Sequence, residues 1–130
     1  MQDTLLFPPS YKNKYIFTHA PSKELNEFID GSLYDIYNLS HKYKCFLKSL
    51  INNQCLGGIV IVPASFWISM NMRDITLRNE FQKVYKIIRI NIFRDVKDAH
   101  LNTNLCSFQF ERRKGIQEKK DFVPITLYPR

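Results

Sequence analysis

The sequence has few of the residues that carry most metal and nucleophilic chemistry, and it lacks any long apolar run. Its three cysteines and three histidines do not stand at the spacing of a metal site. The longest apolar run, Ile59 to Ala64, has the length of a strand and falls far short of the roughly 18 residues of a membrane span. The first residues also lack the basic start and apolar stretch of a signal peptide. We therefore expect an intracellular protein with reduced thiols and no membrane partner.

The composition is that of one basic globular domain. A content of 45% apolar and 14% aromatic residues is enough for a core and excludes wholesale disorder. Nineteen Lys and Arg against 12 Asp and Glu give a formal net charge of +7. That charge favours an anionic partner such as DNA, although solubility alone also accounts for it.

Alternating helix-type and strand-type patterns predict an α/β fold. Helices are predicted over residues 39–52 and 73–84, and strands over 14–18, 58–63, 87–93 and 104–111. The four branched residues from Ile59 to Val62 indicate a strand that is buried on both faces, as in a parallel sheet. The last two strands are joined by a short loop and are predicted to pair antiparallel.

The predicted sheet is too small to cover itself. A strand buried on both faces needs neighbours on each side, and three companion strands with two helices supply only part of this cover. Phe7, Trp67 and Phe122 are large apolar residues with no obvious place in so small a core. We therefore expect the chain to self-associate or to bind a protein partner that completes the sheet.

The chain is divided into a folded unit over residues 1–111 and a basic, extended tail over residues 112–130. The tail could neutralise phosphates without recognising a base sequence. A solvated tail without a function explains the same charges. The predicted DNA-binding residues are Lys97, Arg112, Arg113, Lys114, Lys119 and Lys120.

The chemistry of individual residues predicts no enzyme. Gly57 and Gly58 precede a strand and not a helix, so they cannot form a phosphate-binding loop. Cys45 lies on the core-facing side of the first predicted helix, where a buried, inert thiol is expected.

Six short motifs follow one another along the chain. They are Tyr43-Lys44-Cys45-Phe46, Gly57-Gly58 before a strand that ends at Pro63, Ser65-Phe66, Leu77-Arg78 with Phe81, Asn91-Ile92-Phe93, and Cys106-Ser107-Phe108-Gln109-Phe110. In this order and spacing the series resembles the adenine-specific (N6) DNA methyltransferases. It is most similar to the type II amino-methyltransferases of bacteria and large algal viruses, and the similarity extends from Asp3 to Phe110.

The resemblance implies a partial Rossmann-like sheet of the S-adenosylmethionine-dependent methyltransferase type, flanked by two helices and ending in an antiparallel strand pair. In the family the glycine loop for the cofactor lies ahead of the region matched here. We therefore expect this chain alone to bind no cofactor, although the family uses S-adenosylmethionine. The matched region is the half of the catalytic domain that holds the target base.

The base-holding loops are where the sequence departs from the family. There an Asn-Pro-Pro-aromatic loop binds the amino group of a flipped adenine and stacks on its ring. The loop aligns with His19-Ala20-Pro21-Ser22, in which only the proline at Pro21 matches. His19 has no amide oxygen and Ser22 has no aromatic face. A Val-Phe pair that clamps the other side of the base falls on Lys97 and Asp98.

These departures predict a truncated, degenerate relative of a site-specific DNA adenine methyltransferase. It would be non-catalytic alone and act as a nucleic-acid-binding or interaction module. One alternative is half of a split methyltransferase whose cofactor loop belongs to another chain. A further alternative is a viral structural protein that reuses the fold. The expected location is the cytoplasm, or the host cell interior for a viral protein.

Overall fold

A mixed five-stranded sheet with helices packed against it forms the part of the chain that the computed structural model describes, residues 10–19, 41–97, 104–114 and 123–128. In chain order the elements are β1 (Tyr15–His19), α1 (Lys42–Asn52), β2 (Gly57–Pro63), α2 (Ser65–Ile68), α3 (Met72–Val84), β3 (Tyr85–Lys97), β4 (Asn104–Arg112) and β5 (Ile125–Tyr128). No helix within these ranges is long and apolar enough to cross a bilayer.

The order of the strands in the sheet is β1-β2-β4-β3-β5. β1 pairs parallel with β2, and β5 pairs parallel with β3. β4 lies antiparallel between β2 and β3, so β1, β2 and β3 run in one direction. The predicted α/β class and the predicted antiparallel pair are both confirmed. The predicted helices and strands are also present, with ends that differ by a few residues.

The longer helices form because their apolar residues recur at helical spacing. In α1, Tyr43, Leu47 and Leu50 are buried at positions i, i+4 and i+7. In α3, Leu77 and Phe81 are buried one turn apart. Asn71 caps α3, since its side-chain oxygen accepts a 2.8 Å hydrogen bond from the backbone N–H of Arg73.

Aromatic side chains of β4 form the centre of the core. The ring of Phe108 lies 5.7 Å from that of Phe81 and 5.1 Å from that of Trp67. The ring of Phe110 lies 5.2 Å from that of Phe81 and 4.9 Å from that of Tyr85. The expectation that Trp67 has no place in the core is therefore wrong, because α2 turns its ring edge-on to Phe108.

The core lies on one face of the sheet. Val60 and Val62 of β2 are fully buried and belong to the same cluster as the apolar residues of α1 and α3. On the opposite face of the same strand, Ile59 is 37% exposed and Ile61 is partly exposed. The prediction that the run from Ile59 to Val62 is buried on both faces is wrong, because both longer helices contribute to one core only.

The predicted tail contributes a strand to the sheet. Residues 125–128 are extended, as expected, but they pair with β3 from Ile90 to Phe93 and form β5. The ring of Tyr128 stacks on that of Phe93, with centroids 5.8 Å apart. Part of the segment that was assigned to a separate tail therefore belongs to the sheet.

The pair Gly57-Gly58 forms the start of β2. The φ angle is +153° at Gly57 and +155° at Gly58, a conformation that residues other than glycine rarely adopt. A Cβ on Gly57 would lie 2.5 Å from the carbonyl oxygen of Phe110, and a Cβ on Gly58 would overlap the carbonyl oxygen of Ile16. Glycine is therefore required because two neighbouring strands approach the β2 backbone closely.

We predict that Gly58→Ala lowers the free energy of unfolding by at least about 2 kcal/mol, since the methyl group must push β1 away from β2. Gln109→Ala, at an exposed position of β4, is the control and should change it by less than about 0.5 kcal/mol. Urea unfolding followed by circular dichroism measures both. Equal urea midpoints for the two variants would contradict the close approach of Ile16 to Gly58.

Two ion pairs join α1 to α3. The ammonium group of Lys44 lies 2.7 Å from a carboxylate oxygen of Asp74, with both side chains almost buried. Lys48 and Glu80 form a second, more exposed pair at 2.5 Å. Burial alone would raise the pKa of Asp74, but hydrogen bonds from Lys44 and Ser69 and the charges of Lys44 and Arg78 outweigh it and lower the pKa.

Because the pKa of Asp74 is lower in the folded state, its contribution to stability is present above the unfolded pKa of about 3.9 and is lost as the pH falls through the folded value. We predict that Asp74→Asn costs about 2–3 kcal/mol at pH 7 and progressively less below pH 4. Glu80→Gln is the matched control, with a loss of at most about 1 kcal/mol. Urea unfolding from pH 7 to pH 2.5 tests this, and a loss that is independent of pH would contradict it.

Candidate functional site: two opposite ends of the sheet

The predicted base-holding positions lie at the carboxyl end of the parallel strands. His19 ends β1, where it pairs with Ile61 of β2, and its side chain is exposed. Lys97 ends β3, which runs in the same direction, and pairs with Asn104. The structure therefore brings the two loop positions to one end of the sheet, on strands that β2 and β4 separate. Ala20, Pro21, Ser22 and Asp98 lie outside the described residues.

Hydrogen bonds with β4 and with a side chain of α3 hold the backbone of the segment after β2 in place. The N–H of Ala64 donates to the carbonyl oxygen of Asn104 at 2.7 Å. The guanidinium of Arg78 donates to the carbonyl oxygens of Phe66 and Ser69 at 2.7 and 2.8 Å. Arg78, which belongs to one of the sequence motifs, thus holds α2 in place. Its role here is structural and it is not aimed at a ligand.

The three thiols lie in the core. Cys45, Cys55 and Cys106 are all buried and form no disulfide. Burial raises the pKa of Cys106 to about 12, against the opposing effect of a hydrogen bond with the Val62 backbone. Such a thiol stays protonated and is a poor nucleophile. Among the described residues, no group of three His, Cys, Asp or Glu side chains could hold a metal ion.

The opposite, amino-terminal end of the sheet carries a basic cleft with two cavities that meet at Arg112. The first, about 350 Å³, is lined by Ser10, Tyr11, Lys12, Asn52, Asn53, Gln54 and Arg112. The second, about 240 Å³, is lined by Lys86, Glu111, Arg112, Arg113 and Lys114. We call these residues together the amino-end cleft. Three of the predicted DNA-binding residues, Arg112, Arg113 and Lys114, belong to it, whereas Lys119 and Lys120 lie outside the described residues.

Neighbouring arginines of this cleft have different roles. The side chain of Arg113 donates from Nε to the carbonyl oxygen of Gln82 at 2.7 Å, and its backbone N–H donates to Val84 at 2.9 Å. Arg113 therefore ties the end of β4 to the end of α3. Arg112 is half-buried and forms a wall of both cavities. The two arginines are adjacent in the sequence, which does not show that the fold holds the side chain of one of them.

Lys12 and Lys86 also belong to the amino-end cleft, although the sequence did not predict them as binding residues. They precede β1 and begin β3 respectively, so no local charge pattern links them to Arg112. Pairing of Tyr85 with Arg112, and of Lys86 with Glu111, places Lys86 there. Only the sheet register reveals this cluster.

The predicted base-holding position and the predicted phosphate-binding residues lie at opposite ends of the sheet. Tyr15 pairs with Gly57, which pairs in turn with Glu111, next to Arg112. His19 is four residues farther along β1, or roughly 13 Å at the rise of a strand. A ligand held by Arg112 is therefore not positioned by the same end of the sheet that carries His19.

Comparisons with known proteins give matches by structure alone. No protein-family model and no curated protein sequence matches the chain. A solved protein from Listeria monocytogenes, described as a class I S-adenosylmethionine-dependent methyltransferase, superposes on 89% of the chain with a TM-score of 0.63 and 12% identity. A second solved protein, from Vibrio vulnificus and described as the modification subunit of a type I restriction enzyme, superposes on 83% of the chain with a TM-score of 0.60 and 15% identity. The chain has a methyltransferase fold.

The methyltransferase fold confirms the coarser part of the resemblance found in the sequence. At these identities the comparison concerns the fold, and adenine specificity and a viral relationship stay predictions. The chain spans 37% of the length of the Listeria structure and 25% of the Vibrio structure. Most of each neighbour therefore has no counterpart in this sequence.

Proposed function

We propose that this chain is a methyltransferase-fold interaction module that does not methylate DNA alone and that associates with another polypeptide along β1. The observation that carries the proposal is the open edge of the sheet at β1. This strand pairs with β2 on one side, and no strand among the described residues pairs with its other side. An unpaired strand edge presents a row of free backbone donors and acceptors to another chain.

Exposed apolar side chains beside this edge support the proposal. Phe17 is 72% exposed and Tyr15 is 58% exposed, although both belong to a strand of a largely apolar sheet. Phe17 pairs in register with Ile59, which is 37% exposed, so the three side chains share one face. A contiguous apolar surface next to an open edge is typical of an interface. We call Tyr15, Phe17 and Ile59 the β1 surface.

The neighbours give a reason for the identity of the partner. Both are longer methyltransferase-fold chains, and this sequence matches 37% or less of either. The resemblance places the cofactor glycine loop in the part that is not matched here. A polypeptide that supplies further strands of the same sheet is therefore the partner that fits the edge of β1.

The chemistry at the carboxyl end supports the lack of activity in the isolated chain. The side chain at the position of the family asparagine is the exposed imidazole of His19. An imidazole cannot present the amide oxygen that accepts a hydrogen bond from the adenine amino group. Arg78, which belongs to one of the sequence motifs, is engaged in holding α2.

We predict that the isolated chain binds no S-adenosylmethionine at micromolar concentrations and transfers no methyl group to DNA. Isothermal titration measures the binding, and incorporation of a tritiated methyl group into mixed-sequence DNA measures the transfer. An active adenine methyltransferase is the positive control. A micromolar dissociation constant would show that the chain contains a cofactor site of its own and would overturn this part of the proposal.

We also predict that the isolated chain self-associates through the β1 surface when no other partner is present. Phe17→Asp should raise the dissociation constant for self-association at least tenfold, because it buries a charge in an apolar contact. Ile68→Asp is the matched control, since Ile68 is 70% exposed but belongs to α2. Light scattering across a tenfold dilution measures the mass. A wild-type monomer at every concentration, or an equal effect of both variants, would contradict the proposal.

A split methyltransferase is the second candidate, and the shared position of His19 and Lys97 at one end of the sheet favours it. In that case a partner with the glycine loop would restore adenine methylation on co-expression. His19→Ala would then abolish methylation without weakening the association through β1. Association without methylation would support the non-catalytic module instead.

A further inference from the structure

Arg112, a half-buried residue, lines both cavities of the amino-end cleft. Among the described residues, no carboxylate or carbonyl oxygen pairs with this side chain. A guanidinium with no counter-charge attracts an anion, and its hydrogen bonds to an anion are charge-assisted. Arg112 lines both cavities, so a ligand that extends through both contacts this residue.

The charge around Arg112 is strongly positive. Lys12 lies in the first cavity, and Lys86, Arg113 and Lys114 line the second. Of the described residues in the two linings, Glu111 alone is acidic. Lys12, Lys86 and Lys114 are exposed, so their ammonium groups are accessible to a ligand. Five cations against one carboxylate attract a ligand with more than one negative charge.

The cleft is held in shape before any ligand binds. The backbone N–H of Arg112 donates to the carbonyl oxygen of Leu56 at 2.8 Å, which fixes the end of β4 to the loop before β2. Arg113 fixes the same strand end to α3 through Gln82 and Val84. The backbone that carries the Arg112 side chain is therefore fixed before an anion is bound.

We propose that the amino-end cleft binds the phosphodiester backbone of a nucleic acid, with Arg112 between consecutive phosphates. Two adjoining cavities on either side of one guanidinium suit a regular polyanion better than a single phosphate. The exposed amides of Asn52 and Gln54 in the first cavity suit sugar and base edges. This site is independent of the β1 surface, and it lies at the end of the sheet opposite His19.

The exposed side-chain amides among the basic residues of the cleft favour nucleic acid over an anionic membrane, which would need a basic surface with an apolar rim. The exposed apolar residues Ile68, Met70 and Met72 belong to α2, to the segment after it and to the start of α3. The last residue of α3, Val84, is followed by Tyr85, which pairs with Arg112 in the cleft. Because α3 is about 20 Å long, the exposed apolar residues at and before its first turn lie far from the cleft.

Fluorescence anisotropy with a labelled 20-nucleotide single strand and the matching duplex tests the proposal over a series of salt concentrations. The wild-type chain should bind at least one of them with a micromolar dissociation constant. For four or five phosphate contacts, a plot of log affinity against log salt should have a slope of about −2.8 to −3.5 with the single strand and about −3.6 to −4.5 with the duplex. Arg112→Ala should weaken binding about fivefold to tenfold and make the slope shallower by about 0.7 to 0.9.

Lys12→Ala and Lys114→Ala extend the test to exposed positions whose replacement does not affect the core, and each should weaken binding twofold to fivefold. Arg73→Ala is the matched control, because Arg73 is an exposed arginine at the far end of α3. It removes the same charge and should leave the affinity within twofold of the wild-type value. Thermal melting of each variant shows that the fold is retained.

Loss of binding with Arg73→Ala but not with Arg112→Ala would place the nucleic acid at the carboxyl end and overturn the proposal. Binding that does not change with salt, or that none of the cleft variants weakens, would also overturn it. Inorganic phosphate and a nucleoside triphosphate are tested as competitors at equal phosphate concentration. Competition as strong as that of unlabelled oligonucleotide would show a single-phosphate site instead. Equal affinity for phosphatidylserine vesicles would show a general anionic surface and would equally contradict the proposal.

Discussion

The antiparallel insertion of β4 between β2 and β3 is the constraint on which the rest of this structure depends. Its aromatic residues Phe108 and Phe110 contact Phe81 of α3 and Tyr85 at the start of β3. The helix layer therefore rests on β4, and β4 also sets the register of both neighbouring strands. Without this strand β2 and β3 would be separate, and the amino-end cleft would lose Arg112.

A hydrogen bond network from Tyr85 reinforces the same region. Its hydroxyl donates to the carbonyl oxygen of Leu50 at 2.6 Å and accepts from the backbone N–H of Cys55 at 3.0 Å. Burial raises the pKa of this hydroxyl, so it stays protonated and able to donate. The end of α1 and the loop that enters β2 are thus fixed by a side chain from β3. That loop lines the first cavity of the cleft.

The two ends of the sheet separate two sets of predicted site residues that the sequence does not place relative to one another. The carboxyl end carries the positions that resemble a base-holding site, and the amino end carries the cations. Because β1, β2 and β3 are parallel while β4 is antiparallel, the chain segment after β4 returns to the amino end. Among the described residues, Arg112, Arg113 and Lys114 are therefore kept away from His19 by the topology of the sheet.

The sequence by itself determined the α/β class, the positions of the main elements and the methyltransferase type of the fold. Helical and strand periodicities are local properties, and the six motifs consist mainly of core-facing residues such as Leu77, Phe81 and Phe108. Only the tertiary structure decided that the described helices pack on one face of the sheet, that residues 125–128 form a strand and that Lys12, Lys86 and Arg112 lie at the same end of the sheet. These features depend on strand order and register, which link residues far apart in the chain and leave no periodic pattern in the sequence.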